Sequence, residues 1–313
     1  MASQANPLLE IDTDFSHYVA ARTKSGTAKQ NLLGGKLDYI FDSDVDCRRK
    51  LNNMSGINKV MKPVFPFITE RYRTVVGSAA RAGALKYGDA YKIMEICASR
   101  LGVAVPSLFV TVNSSEYRAY SFDGGDISEP CIVITSAVAE SLSKDEIAFL
   151  IGRECGRIQN GHSVFKYAAA YYGQAGADSD RRDTITDTGI KNVLRQWLRY
   201  SDVTCDRAGI ICMDSPDKYA EAVLSSRREG NLGLYPEEKI SAPEMKKLYE
   251  KVHFTPARSI NIGADVSELK RRILCGMEFI SCEVLYSRRS DLPSAPHTMN
   301  KQGLEVRCDI IIG

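Results

Sequence analysis

The sequence has no marked excess of charge of either sign. Its 41 lysine and arginine residues nearly balance 39 aspartate and glutamate residues, which leaves a formal net charge of +2 at pH 7. Proteins that bind nucleic acid or an acidic membrane by charge carry a marked basic excess. We therefore expect neither as a partner of this chain.

Targeting segments and cofactor motifs are missing as well. No stretch of about eighteen uninterrupted apolar residues is present, so no membrane-spanning helix is expected. The first residues lack the basic and apolar regions of a secretory signal. The sequence contains no P-loop, no G-x-G-x-x-G and no G-x-S-x-G. Nine cysteines, an odd number without C-x-x-C spacing, predict reduced thiols and a cytoplasmic location.

The chemistry-bearing segment is residues 150–162, which read L-I-G-R-E-C-G-R-I-Q-N-G-H. In the zinc-peptidase motif H-E-x-x-H, two histidines four apart project from one helix face and bind Zn²⁺, while the glutamate activates water. Here Arg153 and Arg157 stand in the histidine positions around Glu154. A guanidinium has no acceptor lone pair and stays protonated, so it cannot bind zinc.

The segment is predicted to lie on a long helix that begins near Lys144. Ser143 and Glu146 have the spacing of a capping box. Apolar residues follow at helical spacing, namely Ile147, Leu150, Ile151, Ile158 and Phe165.

With these flanks, the sequence resembles the HtpX-like and CAAX-prenyl-endopeptidase-like zinc metallopeptidases of peptidase family M48. Members show L-S-x-x-E before H-E-x-x-H and a further histidine five residues after it, a pattern that Leu142–His162 follows outside the two ligand positions. They carry the third zinc ligand as E-x-x-x-D followed by x-x-G, where residues 202–209 here read D-V-T-C-D-R-A-G. His253–Arg258 is a loose version of the late H-P-x-x-x-R segment. The resemblance covers roughly residues 90–260.

The resemblance implies the fold and argues against the activity, because all three ligand positions are altered. It assigns the vestigial base to Glu154, the degenerate ligand positions to Arg153, Arg157 and Asp202, and surrounding positions to Asp206, His162 and His253. Zinc, the family's cofactor, is expected to be absent. We predict that Arg153 or Arg157 pairs directly with Asp202, Asp206 or Glu154, since unpaired buried charges are costly.

Taken alone, R-E-x-x-R on a helix would be an ordinary solvated charge cluster. The cap, the spacing to Asp202 and the D-R-A-G run favour a degenerate peptidase site. Other metal sets are conceivable from Cys155 and Cys205 together with His162, His253, Asp202 and Asp206, but two permanent cations beside them argue against a metal. Cys155 is expected to be an inert buried thiol rather than a reactive one.

Three strands are predicted before the motif helix, at Ser107–Val112, Tyr117–Phe122 and Cys131–Thr135. In the family, the edge strand of this sheet holds the substrate backbone as an added strand. The second strand is therefore a possible peptide-binding strand, although it could equally be an ordinary covering strand. Its residues are Tyr117, Arg118, Ala119, Tyr120, Ser121 and Phe122.

Three segments are predicted: an N-terminal polar extension at 1–55, a metallopeptidase-like domain at 56–260, and a C-terminal helix and strand at 261–313 that complete the same body. Leu304–Ile312, with its three consecutive isoleucines, is interpreted as the last strand. The expected class is α+β, a mainly helical zincin-like fold with a small sheet over the motif helix.

The predicted function is that of a catalytically inactive metallopeptidase homologue, a pseudopeptidase acting as a binding, scaffold or regulatory subunit. The alternatives are an active zinc endopeptidase with non-standard ligands and a structural component of a larger assembly. A protein or peptide partner is expected, and oligomerisation stays open.

Overall fold

A small mixed sheet covers part of a mainly helical body in the computed structural model, which describes residues 32–33, 36–113, 117–124, 127–173, 188–226, 240–293 and 298–313. The predicted α+β class is confirmed. Within the described ranges, no helix is both long enough and apolar enough to cross a membrane.

The described helices, numbered in chain order, are α1 (Asp42–Asn52), α2 (Ile57–Met61), α3 (Val64–Gly77), α4 (Gly88–Leu101), α5 (Ser136–Ser141), α6 (Lys144–Asn160), α7 (Ser163–Gly173), α8 (Thr188–Cys212), α9 (Tyr219–Ser225), α10 (Ala242–His253), α11 (Glu268–Ile280), α12 (Glu283–Arg288) and α13 (Lys301–Ile312). Short 3-10 turns at Pro216–Lys218 and Ala257–Ser259 precede α9 and follow α10.

The main sheet has four strands in the order β3–β4–β6–β5, and β1 (Leu32–Leu33) and β2 (Lys36–Leu37) form a separate pair. Its strands are β3 (Ala80–Arg81), β4 (Ser107–Thr111), β5 (Ala119–Gly124) and β6 (Ile127–Thr135). β4 and β6 are parallel and the other pairs are antiparallel. The three predicted strands are confirmed, with β5 starting two residues later than expected and β6 four residues earlier.

Both faces of this sheet are buried. Ile132 and Ile134 of β6 contact one apolar cluster, whereas Cys131 and Val133 contact a second one. Because successive side chains of a strand point to opposite faces, this alternation shows that helices cover the sheet on both sides.

The motif helix α6 begins with the capping box predicted from the sequence. Ser143 accepts a hydrogen bond from the Glu146 amide, and the Glu146 side chain accepts one from the Ser143 amide. The helix packs closely on α8 through Gly152 and Gly156. A Cβ added at Gly156 would lie 2.4 Å from Cβ of Ala208. The lack of side chains on this face is what lets α6 and α8 approach, and it brings the motif next to Asp202.

The predicted C-terminal strand is wrong, because Lys301–Ile312 forms helix α13. Its N-terminus is capped by Asn300, whose side chain accepts a hydrogen bond from the Gly303 amide at 2.8 Å. The buried residues of α13 recur at helical spacing and pack on α11, and they include Leu304, Cys308 and Ile311. The isoleucines that suggested a strand are therefore stabilised as a helix by tertiary packing.

The predicted N-terminal extension needs correction over residues 37–55. Helix α1 packs against α8, and Tyr39, Phe41 and Leu51 are buried in the core. The Asp44 carboxylate is also buried, where it accepts hydrogen bonds from Trp197 at 2.9 Å and Thr204 at 2.6 Å. This segment belongs to the folded body, and the part of the prediction before residue 32 lies outside the described residues.

Arginines from distant segments bind the carbonyl groups at several helix C-termini. The end of α8 accepts hydrogen bonds from Arg100 and Arg289, that of α10 from Arg307, and that of α13 from Arg271. The last carbonyls of a helix have no partner within the helix and carry partial negative charge, so these contacts satisfy and neutralise them.

The nine cysteines are all free and buried. Several thiols hydrogen-bond to backbone carbonyls, as Cys97 does to Ala148, whereas Cys205 lies beside His162 and Cys308 accepts a hydrogen bond from Arg207. Burial raises the pKa of Cys155 well above its ordinary value. This agrees with the expectation that Cys155 is inert, because the thiolate is the reactive form.

A charged cluster at the motif helix

Seven ionised side chains from four helices meet beside the motif and form what we call the charged cluster. Every member has at least one oppositely charged partner within 4.0 Å. The members are Arg153, Glu154 and Arg157 from α6, Lys166 from α7, Asp202 and Asp206 from α8, and Arg272 from α11.

Arg153 joins the two carboxylates of α8. Its Nη2 donates to Oδ1 of Asp202 at 2.8 Å, and its Nε lies 2.6 Å from Oδ1 of Asp206. The guanidinium carbon also lies 5.8 Å from the centre of the Phe149 ring. The prediction that Arg153 or Arg157 pairs with one of these carboxylates is confirmed.

Asp206 is held from the opposite side as well. Arg272 binds it through two hydrogen bonds, from Nε at 2.6 Å and from Nη2 at 2.7 Å. The hydroxyl of Tyr219 donates to Oδ2 at 2.8 Å. A carboxylate bound by a two-pronged guanidinium is fixed in orientation as well as neutralised.

Glu154 lies at the buried end of the cluster. Nε of Arg157 lies 3.2 Å from its Oε2, Nζ of Lys166 lies 3.6 Å from its Oε1, and the Ser121 hydroxyl donates to Oε2 at 2.7 Å. The side chains of Glu154 and Arg157 are each only 3% exposed. The residue that would activate water in a peptidase is thus engaged on both oxygens.

The surrounding charges keep the carboxylates of Glu154 and Asp202 ionised. Burial alone would raise the pKa of Glu154, but the charges of Lys166, Arg157 and Arg153 and the Ser121 hydrogen bond outweigh it and lower the pKa to about 2. For Asp202, burial is likewise outweighed, chiefly by Arg272 and Arg153, and the pKa lies well below its ordinary value. A glutamate with so low a pKa is a poor base near neutral pH.

The donor set does not fit the zinc of the family. Zinc binds cysteine sulfur, histidine nitrogen and carboxylate oxygen, whereas guanidinium nitrogens offer it no lone pair. Arg153 and Arg157 stand four apart on α6, in the positions where two histidines are expected, and Arg153 itself bonds Asp202. Asp202, the carboxylate predicted for the third ligand position, is therefore paired with Arg153, which stands at the first predicted position.

Of the alternative metal ligands considered from the sequence, His162 and Cys205 lie close to each other. Among the described residues, no group of three or more histidine, cysteine, aspartate or glutamate side chains is placed to bind a metal ion. His162 is buried, with Nε2 3.1 Å from Oδ2 of Asp44 and Nδ1 3.6 Å from the sulfur of Cys205. Burial lowers the pKa of His162, so its neutral form is favoured. It lies beside the cluster without an ion pair to any cluster member.

His253 lies outside the cluster. Its Nδ1 is 3.0 Å from Oε2 of Glu278 and 3.0 Å from the hydroxyl of Tyr249. Within the described ranges it makes no hydrogen bond or ion pair with any cluster residue. The prediction that grouped it with the former ligands therefore finds no contact to support it.

The predicted peptide-binding segment is only partly a strand. Tyr117 and Arg118 precede β5, Ala119 and Tyr120 are half-buried in it, and Ser121 and Phe122 are buried. β5 is the last strand of the main sheet on its side. The Ser121 carbonyl accepts a hydrogen bond from Tyr167 at 3.3 Å, and Phe122 stacks on the same ring. Ser121 is the residue through which this strand touches the cluster.

Three contributors were not predicted from the sequence, namely Lys166, Tyr219 and Arg272. None has a local motif, and each reaches the cluster only through tertiary packing. The sequence did indicate that a further cation was needed. Arg153 and Arg157 are two positive charges, whereas Glu154, Asp202 and Asp206 are three negative ones, so one buried negative charge was left to be neutralised.

The family can now be stated from the comparison with known proteins. The model for peptidase family M48 matches residues 85–247, more than half of the chain. The chain belongs to peptidase family M48. A curated relative, the plastoglobule-localized metallopeptidase 48, chloroplastic, of Arabidopsis thaliana, is 22% identical over 235 residues, which cover 74% of this chain and 67% of the relative. No solved structure shows significant similarity to the chain.

Proposed function

We propose that this M48-family chain is a pseudopeptidase that acts as a binding or regulatory subunit rather than as a hydrolase. The observation that supports this most directly is the 2.8 Å hydrogen bond between Arg153 and Asp202, two positions that the resemblance of the sequence assigns to former zinc ligands. Restoring a metal site would require breaking this contact and removing a positive charge at two places. Each carboxylate of the cluster is already paired with cationic side chains, which would repel a divalent cation.

Glu154 supports the same proposal. Without a Lewis acid beside it, a carboxylate has no polarised water to deprotonate. Here its oxygens are occupied by Ser121, Arg157 and Lys166. Metal-dependent hydrolysis is therefore expected to be absent.

The test combines metal content with activity. The full chain is incubated with excess Zn²⁺, dialysed and analysed by elemental mass spectrometry, and casein hydrolysis is followed with and without o-phenanthroline. We expect far less than one zinc per chain and hydrolysis at the background rate under both conditions. Chelator-sensitive cleavage that disappears in Glu154→Gln but persists in Glu140→Gln, an exposed glutamate on α5, would overturn the proposal in favour of an active enzyme with non-standard ligands.

The cellular location of this chain is predicted on separate grounds. The name of the relative places that protein in chloroplast plastoglobules, whereas the cysteine usage of this chain predicts the cytoplasm. We keep the cytoplasmic location as a prediction. Fractionation of cells that express the full chain checks it, since recovery with plastids or lipid droplets would contradict it.

A further inference from the structure

We propose that Arg153, Arg157 and Lys166 form a carboxylate-binding site for an acidic residue of an extended peptide. This inference rests on the proposed function, since it takes the former catalytic centre to be a place of binding. The partner would present a carboxylate, that is, a pair of anionic oxygens, beside β5. The three residues are called the cationic mouth below.

The cationic mouth has more donors than acceptors. Arg153 uses Nη2 and Nε toward Asp202 and Asp206, and Arg157 uses Nε toward Glu154. Nη2 of Arg157 is 3.7 Å from Asp202, and Nζ of Lys166 is 3.6 Å from Glu154, both too long for a hydrogen bond. In the described part of the chain, Nη1 of both arginines and Nζ of Lys166 make no hydrogen bond. These three donors are not among the fully buried polar atoms that lack a partner, so they keep some contact with solvent, from which an anionic ligand could reach them and supply acceptors.

Exposure rises in steps across the three residues. The side chain of Arg157 is 3% exposed, that of Arg153 13% and that of Lys166 31%. This gradient leads from the surface at Lys166 toward the interior at Arg157. An incoming anion would meet the lysine first and the guanidinium groups next.

The net charge of the cluster also favours an anionic ligand. Four cations, namely Arg153, Arg157, Lys166 and Arg272, face three carboxylates, namely Glu154, Asp202 and Asp206, which leaves one positive charge in excess. A single carboxylate would cancel it. Because the site is largely withdrawn from water, such a pair gains more than it would at the surface.

A carboxylate on a peptide is favoured over a free anion by the position of β5. Ser121 lies on this edge strand and donates to Glu154. Edge strands bind extended peptides by adding them as a further strand. A peptide aligned there would carry a side chain past the cationic mouth.

The protonation of Lys166 supplies an independent readout. Burial is the largest cause that lowers its pKa, and Arg157 and Arg153 on α6 lower it further. Glu154 and Asp202 act in the opposite direction, and the resulting pKa is about 8. The cationic form needed for anion binding is therefore lost as the pH rises through about 8. Affinity for a carboxylate should fall between pH 7 and pH 9, whereas an uncharged peptide should show no such change.

The experiment compares two fluorescein-labelled, alanine-rich nonapeptides with amidated C-termini that differ only in a central glutamate or glutamine. Fluorescence anisotropy with the full chain in low salt measures both affinities. We expect the glutamate peptide to bind about tenfold more tightly. Lys166→Gln should reduce this preference to less than about threefold, Lys166→Arg should retain it, and Lys251→Gln, an exposed lysine on α10, should leave it unchanged.

Two further arms identify the source of the carboxylate. The glutamine peptide with a free C-terminus tests a terminal carboxylate, and competition by succinate tests a free small anion. Succinate that binds while the glutamate peptide does not would overturn the peptide assignment. Equal binding of the two amidated peptides, binding of neither at about 1 mM, or a preference that survives Lys166→Gln in a variant with unchanged circular dichroism would overturn the site. None of these results bears on zinc content or casein hydrolysis, so this inference and the pseudopeptidase proposal fail separately.

Discussion

Nη2 of Arg153 lies 2.8 Å from Oδ1 of Asp202, so two residues that the sequence predicts to stand at former ligand positions bind each other. The pair connects α6 to α8 across 49 residues of sequence. Its side chains are only 13% and 16% exposed. The pair is therefore largely shielded from water, and breaking it should affect stability more than breaking a surface ion pair.

This pair should contribute measurably to stability. We expect Arg153→Met and Asp202→Asn each to lower the free energy of unfolding by about 3 kcal/mol, because each leaves charged partners unmatched. The double variant should lose less than the sum of the two. Urea unfolding of the four proteins measures the coupling. The control is the exposed pair Arg49 and Asp46, which lie 3.0 Å apart and whose coupling should stay below about 1 kcal/mol. Equal coupling in the two pairs would contradict the prediction.

Glu154 should make the fold sensitive to acid. Its pKa is about 2 in the folded chain against an ordinary 4.5. Since the folded pKa is the lower one, the stabilisation is complete above pH 4.5 and is lost as the pH falls toward 2. The difference amounts to about 3 kcal/mol.

The comparison of Glu154→Gln with the unmodified chain tests this. The variant should be less stable at pH 7 and should lose less further stability between pH 4.5 and pH 2. Glu140→Gln should lose as much stability between pH 4.5 and pH 2 as the unmodified chain. Chemical denaturation at each pH measures the free energy of unfolding. If Glu154→Gln and the unmodified chain lose the same amount over this range, another group is responsible.

The close approach of α6 and α8 depends on Gly156. A methyl group there would lie 2.4 Å from Cβ of Ala208, so Gly156→Ala forces the helices apart and should cost about 1 to 3 kcal/mol. The matched control is Gly77→Ala at the end of α3, where nothing lies within 4 Å and the change should be neutral or slightly stabilising. Thermal unfolding distinguishes them, and an unaffected Gly156→Ala would contradict the helix packing described above.

The fold also predicts that a metal site can be rebuilt. In Arg153→His/Arg157→His/Asp202→Glu, two histidines on α6 and a glutamate on α8 would present the zinc ligands of the family, with Glu154 beside them. Because Arg153 already reaches the side chain at position 202, we expect about one zinc per chain in the triple variant and weaker binding in each single one. Elemental analysis measures this. A folded triple variant without zinc would mean that the two helices do not converge closely enough for shared ligation.

The features of this molecule that depend on short sequence patterns could be predicted. The capping box at Ser143, the motif helix and the pairing of Arg153 with Asp202 were all predictable, because they depend on near neighbours or on a charge that must be neutralised. Arg272 was not, since its approach to Asp206 depends on how α11 packs. The error at α13 is instructive: β-branched residues suggested a strand, while Leu304, Cys308 and Ile311 already had the spacing of a helix.

The nine buried thiols have a consequence for how the motion of this protein can be followed. A thiol with no contact to solvent reacts with an alkylating reagent only when its surroundings open, and burial raises the pKa of Cys205 to about 12. Cys205 reports on opening beside the charged cluster and Cys308 on release of the C-terminal helix. Labelling rates read by mass spectrometry therefore record local opening at several depths in the unmodified chain, with no foreign label.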